Sequence, residues 1–469
     1  MNPLIKKGSE LNLQIDSLSY GGKGISRYEG IVIFTNNVLP GQTVKARIIK
    51  KKKNYLEAIP IEIIEESPFK QKERCAHFYD CGGCKTQDLD YEEQLNQKQN
   101  QIIEALTYLA KINVEEIKPI IKSDAIYEYR NKMEFSFSNN RWLINNEKDL
   151  ENEKPKDFAL GLHPPRRFDK IVDIDNCDIQ TKLANKILQI IKQESIEGEL
   201  EPYDIIAHKG FMRNVIIKHP KYSDEIMVNI VTAYENNKIL EAIASKIKKI
   251  SPNIKSIINT VNDKKSDVSY GMPKKLLYGK NFIVEHLNEF TFEISADSFF
   301  QTNSIQALKM YEHIKKECNL NGTEIIYDFY CGTGTISIFL AKNSKKVYGF
   351  EIVESAINDA KKNALNNKIE NTEFYCGDLS KMLTNYNKIE PCDILILDPP
   401  RAGIHPKTLK EILKINPKKI IYASCNPATQ ARDVKELINY NYIIGCVQPI
   451  DMFPHTHHIE CVITLDKKL

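Results

Sequence analysis

Residues Ile325-Ile326-Tyr327-Asp328-Phe329-Tyr330-Cys331-Gly332-Thr333-Gly334-Thr335 decide the fold of the C-terminal part of this chain. A short apolar run, strand-length, enters a turn with two glycines, and a helical pattern follows over 336–341. Glycines let a backbone pass close to a ligand, and the start of the helix exposes free N–H groups. Downstream the alternation repeats. Strands are expected at 324–329, 346–350, 372–375, 393–397 and 419–423, and a helix at 357–366. That order predicts an α/β domain with a parallel, doubly wound sheet and its ligands at the carboxyl ends of the strands.

The residues with chemistry in this half fall at those ends. The second strand closes on Gly349-Phe350-Glu351, nineteen residues after Gly332, where a carboxylate can take both ribose hydroxyls. A dinucleotide fingerprint would put its third glycine at Ser337, so the pattern suits an adenosyl ligand without pyrophosphate. The third strand ends at Cys376-Gly377-Asp378, with Asp378 either an adenine contact or a helix N-cap. The fourth ends at Asp398-Pro399-Pro400-Arg401. Strand ends of this kind, in this order, resemble a class I S-adenosylmethionine-dependent methyltransferase. The fifth ends at Ser424-Cys425-Asn426-Pro427, which makes Cys425 a candidate nucleophile. Phe453-Pro454-His455-Thr456-His457-His458-Ile459-Glu460 then sets a carboxylate just before an apolar strand at 461–465. The three histidines lack the flanking ligands of a metal site.

Upstream, residues 8–66 read as short strands at 11–15, 31–34, 43–49 and 56–63, separated by Tyr20-Gly21-Gly22-Lys23-Gly24 and Leu39-Pro40-Gly41. Such a unit fits a small OB-like barrel, a frequent nucleic-acid platform. Residues 1–60 carry ten Lys/Arg against four Asp/Glu, with a run at Lys50-Lys51-Lys52-Lys53, a local field suited to a polyanion or simply to a solvated face. The net charge of +3 over 469 residues adds nothing to that reading. A helical pattern covers 91–121, with Ile102, Ile103, Leu106 and Leu109 expected on one face. Residues 126–290 read as α+β, with strands at 133–137, 158–162, 215–218, 226–231 and 257–261, helices at 181–193 and 238–247, and a polar loop at 139–156. The divisions expected are 1–67, 68–290 and 291–469, with 91–125 able to pack on the last. No apolar run approaches the ~18 residues of a membrane span, and the start lacks the apolar stretch of a signal peptide, so a cytoplasmic protein is expected.

Eleven cysteines are unevenly spread. Cys75, Cys81 and Cys84 crowd one loop, with Gly82-Gly83 between them, and Cys177 is the other cysteine of the central region. In a reducing compartment such crowding points to a metal site, and zinc and an iron–sulfur cluster both accept four thiolates.

Together Phe299-Phe300-Gln301-Thr302-Asn303, Asp328–Gly334, Asp398–Arg401, Ser424–Pro427 and His455–Glu460 closely resemble the RNA uracil-C5 methyltransferase family, and Tyr20–Arg27 with Leu39-Pro40-Gly41 resembles its N-terminal TRAM domain. The resemblance implies an OB-like TRAM barrel, a central α+β domain and a class I methyltransferase domain with a Rossmann-like sheet. It implies methylation of uridine at C5 by S-adenosyl-L-methionine, with Cys425 adding to C6 of the ring and Glu460 removing the C5 proton. The methyl donor would lie on Gln301, Tyr330, Glu351 and Asp398, with Asp378 on the adenine side. The cysteine spacing resembles the branch that carries a [4Fe–4S] cluster, here on Cys75, Cys81, Cys84 and Cys177, and acts on 23S ribosomal RNA. Transfer RNA as the substrate, or a non-catalytic RNA-binding or ribosome-assembly role, are the alternatives. A radical S-adenosylmethionine enzyme would have three residues, not five, between its first two cysteines and a C-terminal TRAM domain. The target uridine must leave its stack, so a single-stranded or looped segment is expected. Arg401 is expected near the pyrimidine carbonyl, and Tyr129-Arg130-Asn131-Lys132 and Arg213 are candidate RNA contacts. No membrane and no obligate protein partner are implied.

Overall fold

The computed structural model describes residues 5–112, 117–144, 155–266, 271–383 and 390–468. The polar loop expected at 139–156 therefore lies partly outside the described residues.

Residues 10–65 form a six-stranded barrel-like sheet in the order Glu10–Gln14, Thr43–Lys51, Tyr55–Glu65, Ile31–Thr35, Gly24–Tyr28, Ser17–Leu18. Val44, Ala46 and Ile48 alternate inward along one strand and meet Leu56 and Ala58 of the next, as a half-buried strand requires. The strand Gly24–Tyr28, which pairs with Ile31–Thr35, was not expected because glycine and charge interrupt its pattern.

The chain then runs into the helix Tyr91–Glu104, capped by Asp90, and a six-residue π-helix, Ala105–Ala110. Ile102 and Leu106 are buried against the C-terminal sheet, but Ile103 and Leu109 are 38% and 54% exposed. The wider π turn rotates Leu109 off the face that a regular helix would have given it. A buried clasp fixes this helix to the C-terminal domain. Lys98 Nζ lies 2.6 Å from Asp451 Oδ1 and 3.0 Å from the Phe453 carbonyl, and the Tyr91 hydroxyl donates to Asp451 Oδ2 at 2.8 Å.

The central sheet has seven strands, ordered Lys274–Gly279, Ile254–Val261, Ile226–Thr232, Met212–Lys218, Lys132–Ser138, Ala159–Leu162, Val172–Asp173. Its two middle strands are buried at every position. One face is covered by the helices Lys182–Glu197 and Asn237–Ile247. The other supplies Met227 and Ile258 to the core of the C-terminal domain. The hairpin Phe282–Leu287/Phe290–Ser295 packs both strands into that same core, so a division at residue 290 would cut it.

The C-terminal sheet carries the site, and its strands are numbered within it: β1 (Ile325–Phe329), β2 (Lys346–Glu351), β3 (Thr372–Cys376), β4 (Ile394–Leu397), β5 (Lys419–Ser424), β6 (Tyr442–Ile450) and β7 (Glu460–Lys467). The order is β3-β2-β1-β4-β5-β7-β6. The first five strands are parallel, whereas β7 runs antiparallel to both β5 and β6. That reversal brings the start of β7 beside the carboxyl ends of the others, as the parallel alternation alone did not show.

Candidate active site

The crossing from β1 to the helix Thr335–Ala341 is shaped by left-handed backbone at Tyr330, Gly332 and Gly334 (φ 64°, 54° and 75°). At Gly349, on β2, a Cβ would fall 2.6 Å from the Phe374 ring and 3.0 Å from Cys331 Sγ, so only glycine lets the two loops approach. Glu351 closes the turn. Its carboxylate accepts from the N–H of Gly332 (3.2 Å), Ile352 (2.8 Å) and Val353 (3.0 Å). Asp328 is fully buried. Its Oδ2 accepts from Ser337 Oγ at 2.6 Å, its Oδ1 has no hydrogen-bond partner, and burial pushes its carboxyl up to about 7.

Asp378 stands exposed at the mouth as the N-cap of the short helix Leu379–Met382, accepting from Ser380 N and Oγ. Tyr330 is half-buried, its phenol pushed up to about 12 by burial. Gln301 precedes the helix Ser304–Cys318, and its carbonyl accepts from Asn131 Nδ2 at 2.9 Å. Asn131 also donates to Ser304 Oγ at 2.6 Å and is buried.

The reacting end lies where β4, β5 and β7 meet. Ser424 pairs with Cys461 and Ile450 with Glu460, so the antiparallel register sets Cys425 at the end of β5 beside Glu460 at the start of β7. Glu460 is buried, and its carboxyl is pushed well up by desolvation first and then by the charge of Asp398. Asp398, just beyond β4, is pushed up to about 7 by burial. The half-buried Cys425 thiol is pushed up to about 11 by burial and Glu460, with the Arg401 guanidinium opposing. Arg401 comes from the turn after β4, where its carbonyl accepts from Asn426 Nδ2 at 2.9 Å and its guanidinium lies 3.4 Å from His458 Nε2. The crevice thus gathers Asp398, Glu460 and the Cys425 thiol around the Arg401 guanidinium.

One residue at this point was not expected. The Tyr20 hydroxyl, from the barrel turn, donates to the Cys425 carbonyl at 3.0 Å, and its ring meets His457 edge-on at 5.7 Å. The turn signal at Tyr20–Gly24 marked the loop but not what it would touch. Burial lowers His455 and His457 to about 4 and His458 to about 3, which keeps all three neutral near pH 7. Among the described residues none of them joins a compact grouping of metal-ligating atoms.

Several expected RNA contacts are corrected. Arg213 is buried, donating to the carbonyls of Asn262, Lys264 and Ser266 and lying over the Tyr203 ring, so it closes a loop of the central domain. Asn131 positions Gln301, as above, and the buried Tyr129 donates to the Pro454 carbonyl at 3.0 Å. Arg130 turns its Nε onto the Lys132 carbonyl and lines the cysteine cavity.

Cys75, Cys81, Cys84 and Cys177 converge on that cavity, of about 450 Å³. Burial pushes Cys81, Cys84 and Cys177 up to about 12 and raises Cys75. Four desolvated sulfurs around one void form a donor set that a polycationic centre would stabilise as thiolates. A lone zinc ion at ~2.3 Å from each sulfur would hold them within about 3.8 Å of one another. Such a donor set accepts either a zinc ion or an iron–sulfur cluster.

The model of the family described as tRNA (Uracil-5-)-methyltransferase matches residues 90–468, and that of the TRAM domain residues 5–61. The chain belongs to the tRNA (uracil-5-)-methyltransferase family. Its relatives include uncharacterised RNA methyltransferases of Chlorobaculum tepidum, 37% identical over 98% of this chain and 97% of the relative, and of Bacteroides thetaiotaomicron, 38% identical over 95% and 99%. Among solved structures, the tRNA (uracil-54, C5)-methyltransferase of Pyrococcus abyssi in complex with S-adenosyl-L-homocysteine is 30% identical, covers 97% of this chain and 100% of its own, and superposes with a TM-score of 0.74. The likeness to a family member extends over nearly the full length, and the fold is an N-terminal TRAM domain followed by a class I methyltransferase domain. No helix among the described residues is long and apolar enough to cross a membrane.

Proposed function

We propose that this protein methylates uridine at C5 in RNA with S-adenosyl-L-methionine, through a covalent bond between Cys425 and C6 of the ring. The observation that carries the proposal is the β5/β7 register, which seats Cys425 beside Glu460, with the Arg401 guanidinium acting on both. S-adenosylmethionine supplies an electrophilic methyl group beside a positive sulfur. Glu351 and the Gly332–Gly334 turn shape a bed for its nucleoside, and Asp398, held at about 7, gains by facing a cation.

Uracil C5 is too weakly nucleophilic to take a methyl group directly. Addition of the Cys425 thiolate to C6 makes an enolate whose C5 attacks the methyl carbon, breaking its bond to sulfur and releasing S-adenosyl-L-homocysteine; a base then takes the C5 proton, and the C6–S bond breaks to return the thiolate. The resting thiol is protonated, so Cys425 becomes reactive only when substrate alters the charge around it. Arg401 favours its thiolate. Burial opposes the charged form of Glu460, the form that must be present for it to act as the base.

For the target we infer 23S ribosomal RNA, on the resemblance of the cysteine loop to the cluster-bearing branch, with a [4Fe–4S] cluster on the four cavity cysteines in a structural role. The TRAM barrel does not support this choice, because the Pyrococcus tRNA enzyme is similar over 97% of the chain. That likeness favours transfer RNA as the second reading. The deciding experiment uses transcripts tritiated at uracil C5. Release from 23S rRNA alone supports the first substrate, and release from tRNA alone supports the second. Protein that binds RNA yet releases tritium from neither, even within ribosomal particles, would overturn the methylation itself.

A further inference from the structure

We propose that His313, Glu317 and Cys446 form a binding site for one transition-metal dication of the zinc class. The three side chains bring ligand atoms mutually within 4.8 Å, the one such grouping among the described residues. It lies on the side of the sheet where the helix Ser304–Cys318 packs against β5 and β7, four residues along β7 from Glu460 at the nearest strand position, Thr464, or about 13 Å at ~3.3 Å per residue.

Three features argue for a ligand here. His313 and Glu317 are four apart on one helix, so both project from the same face. Cys446 reaches that face because the pairing of β6 with β7 shifts at Gly445, between Ile444 opposite Leu465 and Cys446 opposite Thr464. A Cβ on Gly445 would sit 2.7 Å from Asp466 Oδ2, the movable end of a side chain. Finally, His313 Nε2 is buried without a hydrogen-bond partner, and leaving such a nitrogen unsatisfied carries a free-energy penalty.

The donor set of imidazole nitrogen, carboxylate oxygen and thiolate sulfur suits a borderline ion such as zinc rather than magnesium or calcium, which take oxygen ligands. Glu317 Oε2 already accepts from Thr464 Oγ1 at 3.2 Å, an outer contact that orients the carboxylate. Lys419, the nearby cation, is directed to the Glu317 carbonyl at 2.8 Å and lies 3.6 Å from Asp466. On binding, the Cys446 thiol gives its proton to solvent, and the ion ties the helix that follows Gln301 to the edge strand of the sheet. A fourth position stays open to water.

The test uses full-length protein with all four cavity cysteines intact, so that their metal content is common to every sample. Wild type, His313→Ala and Cys446→Ser are loaded with zinc, desalted and analysed for metal. The expected result is one more equivalent in wild type than in either variant. Cobalt loading should give a sulfur-to-cobalt charge-transfer band that is stronger in wild type than in Cys446→Ser. Glu317→Gln, which keeps the side-chain shape, should weaken zinc binding by ~10-fold or more while leaving the Tm in chelator unchanged, and this covers a folding defect in the other variants. Equal metal content in all samples together with equal zinc affinity for Glu317→Gln overturns the site.

Discussion

The strand-end crevice and the cysteine cavity both gather groups whose charged forms are penalised by burial, yet they are assembled in opposite ways. In the crevice each group sits at the end of a different strand of one sheet, and the sheet order brings Asp398, Cys425 and Glu460 together. In the cavity three cysteines come from one loop, and the fourth, Cys177, arrives from a segment 93 positions after Cys84. Sheet order makes a site whose members can be exchanged singly while the scaffold stands. A cage closed by one distant residue is expected to fail as a unit.

The largest expected effect tests the first half of that contrast. Cys425→Ala should lower methylation by ~10⁴-fold or more while leaving S-adenosylmethionine binding within a few-fold of wild type, because the thiol bonds only to the base. Glu460→Gln should instead trap the RNA as a covalent adduct that survives a denaturing gel, since addition and methyl transfer precede the step it blocks. Measurable turnover by Cys425→Ala, or free RNA throughout with Glu460→Gln, would remove the assigned roles.

The cavity should behave differently. Cys177→Ser leaves three thiols around the cavity, and the expected outcome is loss of the absorbance of the proposed cluster and ~2–4 kcal/mol of stability in urea unfolding. Cys84 neighbours Lys85, whose N–H donates to the His455 carbonyl at 2.7 Å, and the chain from His455 leads directly to Glu460. Damage to the cage should therefore reach the base through that loop sooner than it reaches Glu351. A Cys177→Ser protein that retains iron and wild-type stability would show that the cage does not act as a unit.

The same contrast explains how far the sequence could be read. β1 to β5 and the residues at their ends were legible, because each motif is local and the parallel alternation dictates that those ends share one rim. What joins Cys425 to Glu460 is the antiparallel return of β7, which depends on pairing between residues far apart in sequence and is not signalled by the alternation. Tyr20 was missed for a related reason: its turn is obvious, but its contact with Cys425 spans 405 positions. Arg213 and Asn131 looked like surface polar residues, since nothing local marks a guanidinium that will spend its donors on three loop carbonyls. The π-helix at Ala105–Ala110 is likewise a tertiary adjustment, and it displaced Leu109 from its expected face.

The smallest expected effect separates the two regions by pH. Asp398 titrates at about 7 in the folded protein, against ~3.9 for an unperturbed aspartate. As pH rises from about 4 to 7 the unfolded chain releases this proton first, so it binds fewer protons than the folded state and stability falls with pH. Asp398→Asn removes that contribution. Because Asp398 also raises Asp328 and Glu460, the substitution should relax those groups too. In urea unfolding without ligand, the stability difference between variant and wild type should shift in the variant's favour as pH rises from 4 to 7.5. The Cys84 thiol, pushed up to about 12, keeps its proton throughout this range in metal-free protein, so Cys84→Ser should show no such shift. A pH-independent difference for Asp398→Asn would mean that water reaches the carboxylate freely, and that the crevice is not the desolvated site from which the charge argument for a cationic methyl donor was built.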